Sequence, residues 1–109
     1  MKTTVDKTGG QLILRFSGEL DHHAAVGAVA EIAARIDLTL PRECVIDMEK
    51  LSFMDSSGIA VVLKAYRHME ETGGRLILRN VPPQPMRVLA AAGIDRLVNV
   101  EGGLHNERA

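Results

Sequence analysis

The chain has 109 residues, enough for one domain with a single core. Hydrophobic residues make up 46% and charged residues 25%, a globular rather than a disordered balance. Thirteen Lys and Arg against fourteen Asp and Glu leave a net charge of −1, and aromatics are 3%. Nucleic acid is therefore not expected as a partner, since binding it needs clustered basic residues and stacking surfaces. The one cysteine, Cys44, lies in an apolar run and reads as a small buried hydrophobe. No apolar stretch approaches the roughly 20 residues of a membrane span, and the first residues lack a signal-peptide core. A cytoplasmic protein without a membrane partner is expected.

In chain order, Thr3–Lys7 and Gln11–Ser17 read as strands around a Gly9-Gly10 turn, with Leu12, Leu14 and Phe16 on one face. Gly18 closes the second strand. Asp21 to Ile36 reads as a helix with Asp21 as its N-cap and a stripe of Val26, Val29, Ala30, Ala33 and Ile36. Cys44–Met48 reads as a strand covered on both faces, and Glu49–Met54 as a loop. A second helix opens around Asp55-Ser56-Ser57-Gly58. Its core stripe is expected to be Ile59, Val62, Leu63, Tyr66 and Met69, and it ends at Thr72-Gly73-Gly74. Arg75–Arg79 reads as a strand, Pro83–Ala92 as a third helix and Arg96–Val100 as the last strand. Residues 102–109 are polar and read as a frayed tail of a single domain spanning 1–109.

The order β-β-α-β-α-β-α-β implies an α/β fold with a mixed, mostly parallel sheet of about five strands and an N-terminal antiparallel hairpin. In such sheets, partners meet the loops beyond the carboxyl ends of the strands. Here those loops are Gly18–Asp21, Glu49–Ser57 and Asn80–Pro83.

Asp55-Ser56-Ser57-Gly58 supports two readings. One is a plain N-cap, with Asp55 or Ser56 accepting a backbone N–H. The other is phosphorylation, because the positive end of a helix with unpaired N–H groups tolerates a phosphate. Ser57 with His22 or His23 and Asp21 also contains the residue types of a hydrolase triad, but no Gly-x-Ser-x-Gly elbow surrounds Ser57. Adjacent His22 and His23 do not converge on one ion, and no Cys-x-x-Cys or phosphate loop is present, so neither metal nor cofactor is expected. Ala60, Val61 and Ala65 lie off the expected core stripe of the second helix. They read equally as a docking patch and as scattered surface residues.

Gly18-Glu19-Leu20-Asp21-His22-His23 and Leu51-Ser52-Phe53-Met54-Asp55-Ser56-Ser57-Gly58, at this spacing, resemble the STAS-domain family of anti-sigma factor antagonists, in its sporulation branch. Gly73-Gly74 and Ala92-Gly93-Ile94 extend the resemblance over roughly residues 5–101. It implies a STAS fold without enzymatic activity. It also implies a partner that is both an anti-sigma factor and a serine kinase, which phosphorylates Ser57, and a PP2C-type phosphatase that reverses the modification. The unphosphorylated form is expected to bind and so free a sigma factor. The docking face is expected to comprise Gly18, Glu19, Leu20, Asp21, Asp55, Ser56, Gly58, Ala60 and Val61 around Ser57. An alternative within the family is a module of another partner-switching system, such as a stressosome. The short, polar residues 102–109 depart from the family's usual final helix, which is expected to be missing.

Overall fold

The computed structural model describes residues 1–101. The strands are β1 (Lys2–Thr8), β2 (Gln11–Leu20), β3 (Glu43–Met54), β4 (Arg75–Arg79) and β5 (Asn99–Glu101). The helices are α1 (His22–Thr39), α2 (Ser57–Thr72), α3 (Pro83–Ala91) and the short α4 (Ile94–Leu97). The five strands lie side by side in sequence order. β1 and β2 form the antiparallel hairpin, and every later pairing is parallel. Right-handed crossovers between strands laid down in this order put the connecting helices on one face.

The main core forms on that face. Leu12, Leu14 and Phe16 of β2 meet Cys44, Ile46 and Met48 of β3, under Ile32, Ile36, Val61, Val62, Met69 and Leu89 from the helices. The opposite face carries one apolar row, Ile13–Val45–Ile77, adjacent by register. Rows of polar residues flank it, and Arg75 pairs with Glu43 while Arg79 pairs with Glu101. Cys44 is fully buried, and burial pushes its thiol up to about 12. A thiol held that far from ionisation is a packing group.

Five expectations need correction. Glu49–Met54 is not a loop: β3 continues through it and pairs with β2, which likewise does not end at Gly18 but runs on to Leu20. α1 turns Ala25, Ala28, Ile32 and Ile36 inward, while Val26 is 67% exposed and Ala30 lies outside. α2 buries Gly58, Val61, Val62, Ala65 and Met69, with Ile59, Leu63 and Tyr66 only partly covered. Val61 and Ala65 therefore belong to the core, not to a docking patch. The last segment is a short helix followed by a short strand, Ile94–Leu97 and Asn99–Glu101, rather than one strand. The expectations for residues 102–109, the frayed tail and the missing final helix, lie outside the described residues.

Candidate partner-docking and modification site

Two chain corners meet at the carboxyl ends of β2 and β3. At the first, Gly18 adopts φ +96°, a left-handed conformation that a side chain disfavours. Leu20 then inserts into the core with no exposed surface. Asp21 caps α1 as expected, its Oδ1 accepting the Ala24 N–H at 2.9 Å. That hydrogen bond, the largest cause, holds the Asp21 carboxyl below its ordinary value despite some desolvation.

The second corner is tied to the first and to α3. The Ser52 hydroxyl donates to the Gly18 carbonyl at 3.0 Å, and the Asp55 N–H donates to the Leu20 carbonyl at 3.2 Å. The Gln84 amide grips the buried backbone of Met54 at both ends. Its Oε1 accepts the Met54 N–H at 2.9 Å and its Nε2 donates to the Met54 carbonyl at 2.8 Å. Gly58 packs on the Met54 side chain so closely that a Cβ there would lie 2.5 Å from Met54 Cγ. Only a bare backbone fits between α2 and the end of β3.

The start of α2 settles the capping question. Asp55 Oδ1 accepts the Ser57 N–H at 2.8 Å, whereas the Ser56 side chain makes no cap bond. The Gly58 N–H goes to the Asp55 carbonyl at 3.0 Å and the Ile59 N–H to the Ser56 carbonyl at 3.1 Å. The expectation of unpaired amides at this end is therefore corrected: the first three N–H groups of α2 are occupied. The favourable dipole remains.

Ser57 is partly exposed and Ser56 exposed. Ser57 Oγ lies 3.5 Å from His22 Nδ1, across 35 residues of sequence. That is the outer limit of a hydrogen bond. Among the described residues no hydrogen bond joins His22 to a carboxylate, and Asp21 is committed to its cap. The residues considered for a hydrolase triad thus come near one another without the relay that a triad needs. Among the described residues, no three His, Cys, Asp or Glu side chains gather as metal ligands.

Of the expected docking residues, Gly18, Glu19, Asp21, Asp55, Ser56 and Ala60 lie at this edge with exposed or partly exposed surface around Ser57. Leu20, Gly58 and Val61 are buried and can support the face only from beneath. Phe53, 40% exposed and paired with Glu19, adds an aromatic ring to the edge. A groove of about 640 Å³ opens beside it between β1 and α1, lined in part by Met1, Glu19, His23 and Gly27. No sequence signal marked Gln84. It sits among prolines, and only the fold carries it 30 residues back to Met54.

The STAS domain family matches residues 2–107. This chain belongs to that family. The anti-sigma F factor antagonist of Lysinibacillus sphaericus is 40% identical over 83 residues, 76% of this chain and 71% of the relative. The anti-sigma F factor antagonist of Paenibacillus polymyxa is 33% identical over 91 residues, 84% of this chain and 78% of the relative. The solved structure of the unphosphorylated anti-sigma factor antagonist SpoIIAA superposes with a TM-score of 0.82 at 30% identity, covering 98% of this chain and 92% of its own. The phosphorylated form of the Bacillus cell fate determinant SpoIIAA gives 0.74 at 31%, covering 98% and 96%. The STAS fold and the N-terminal hairpin expected from sequence are thus established. No helix among the described residues is long and apolar enough to cross a membrane.

Proposed function

We propose that this STAS domain is an anti-sigma factor antagonist of the cytoplasm, switched by phosphorylation of Ser57. The observation that carries the reading is Ser57 itself. It is a hydroxyl at the first turn of α2, on the edge where the two family motifs converge, partly exposed and with a hydrogen-bonded backbone beneath it. The names of the relatives and the existence of SpoIIAA in both phosphorylation states support it.

In this reading the unmodified edge docks on an anti-sigma factor that is also a serine kinase, and the bound sigma factor is released. The kinase transfers the γ-phosphoryl group of ATP to Ser57 Oγ. The hydroxyl proton leaves to the kinase and ADP is the leaving group. A PP2C-type phosphatase hydrolyses the ester with water, returning the hydroxyl and inorganic phosphate. The antagonist supplies no catalytic group.

Phosphorylation takes the net charge from −1 to about −3. The added charge lies beside Asp55 in a surface that docking must desolvate, where like charges are costly. A coupling of about 1–3 kcal/mol weakens binding about 5- to 150-fold. Incubation with a candidate kinase and ATP should add one phosphate, mapped by mass spectrometry to Ser57 and not to Ser56. Ser57→Ala should bind the anti-sigma factor and stay bound in ATP, while Ser57→Asp should bind poorly yet remain folded by circular dichroism. Phosphate on Ser56 alone, or loss of binding in Ser57→Ala, would refute the reading.

A further inference from the structure

We infer that His22 is the phosphate ligand of this domain: once Ser57 is phosphorylated, its imidazole Nδ1–H donates to a phosphoryl oxygen and holds the group between the first turns of α1 and α2. This rests on Ser57 as the modified residue and adds a residue with no assigned role. Three observations carry it. The amides of Ser57, Gly58 and Ile59 that would ordinarily receive an anion at a helix start already have acceptors, so the phosphate needs another donor. Among the described residues, His22 Nδ1 is the side-chain nitrogen at hydrogen-bond distance from Ser57 Oγ, 3.5 Å. That gap is loose for a hydroxyl, and a phosphoryl oxygen, two bonds out from Oγ through phosphorus, spans it.

The backbone also fixes the position from which the ring projects. His22 is the first residue of α1, and the Asp21 cap fixes that turn. The Asp55–Leu20 hydrogen bond fixes the distance between the two corners. The charged or titratable groups on the converging segments are Glu19, Asp21 and His23 on one corner and Asp55 on the other, with the α-amino group of Met1 acting on Asp21 from just before β1. Asp21 and Asp55 each accept a backbone N–H, and His22 is the one of these groups at hydrogen-bond distance from Oγ. His23, next in sequence, points elsewhere because successive helix residues lie ~100° apart.

The test uses the full chain with phosphoserine placed at position 57 during synthesis, so that no kinase is involved. Phosphorus NMR follows the second ionisation of the phosphate against pH. With His22 present the midpoint should lie below that of His22→Ala by about half a unit, the direction expected for a donor that favours the doubly ionised phosphate. His22→Gln, which keeps a donor but not the charge, should fall between them, and His23→Ala should match the native chain. Equal midpoints in the native chain and His22→Ala would overturn the inference. So would an equal displacement in His23→Ala, which would reduce the effect to general surface charge. Whether a kinase selects Ser57 is read by the mass-spectrometric assay above, so the two proposals fail separately.

Discussion

Replacing Gln84 by methionine tests whether α3 holds the segment that presents Ser57. The side chain keeps its length and loses both the donor and the acceptor that face Met54. Met54 is fully buried, so its N–H and carbonyl are left without partners inside the fold. Each orphaned group costs about 1–3 kcal/mol. Gln84 is itself partly exposed, which lets water approach and favours the low end, about 2 kcal/mol for the pair. For a domain of this size that is a fall of about 8 °C in Tm. Urea unfolding should show a lower midpoint at an unchanged slope, because the surface exposed on unfolding hardly changes. Native-state hydrogen exchange should show the Met54 amide opening first, and phosphorylation at Ser57 should slow as its platform loosens. A loss below about 0.5 kcal/mol, with the Met54 amide as protected as before, would mean that these two hydrogen bonds do not hold the corner.

Two further outcomes are expected. Gly18→Ala forces a side chain onto a left-handed backbone and should cost about 1–3 kcal/mol in thermal or urea unfolding, whereas a neutral result would show that the β2 corner relaxes freely. Acid should weaken the fold through Asp21 and Glu43. The Ala24 N–H lowers the first carboxyl, and Gln11, then Arg75, lower the second. A lowered folded value means that the stabilisation is complete above the ordinary carboxylate range and disappears as pH falls through the folded values. Urea midpoints between neutral pH and pH ~3 should therefore fall less steeply in Asp21→Asn than in the native chain.

The element order and the α1 cap were legible because each depends on local chemistry. A hairpin of alternating residues, a carboxylate before a helix and a Pro/Gly pair around α3 all act within a few positions. The extension of β3 was hidden by its own geometry. Register shifts between Arg15 and Ser17 and between Gly18 and Glu19 break the two-residue alternation, so Glu49–Met54 looked like a polar loop. The inner face of α1 was misassigned because alanines surround the helix. Periodicity cannot choose between faces that are equally apolar, and packing selected Ala25 and Ala28 over Val26. On α2 the same ambiguity hid Val61, an apolar residue one position beyond the exposed Ala60. The site was legible as a motif but not as a mechanism. Ser57 stood out, yet its approach to His22 and the Gln84 clamp on Met54 join residues 35 and 30 positions apart. Only the tertiary arrangement of the corners creates those contacts.

The burial of Cys44 has a consequence for what signals this molecule can receive. The chain has one thiol, and it sits at the centre of the sheet, sealed by aliphatic neighbours and held far from the thiolate form that attacks peroxides and disulfides. Two copies cannot be cross-linked through sulfur without first unfolding. Oxidants thus have no accessible cysteine to address in the folded domain.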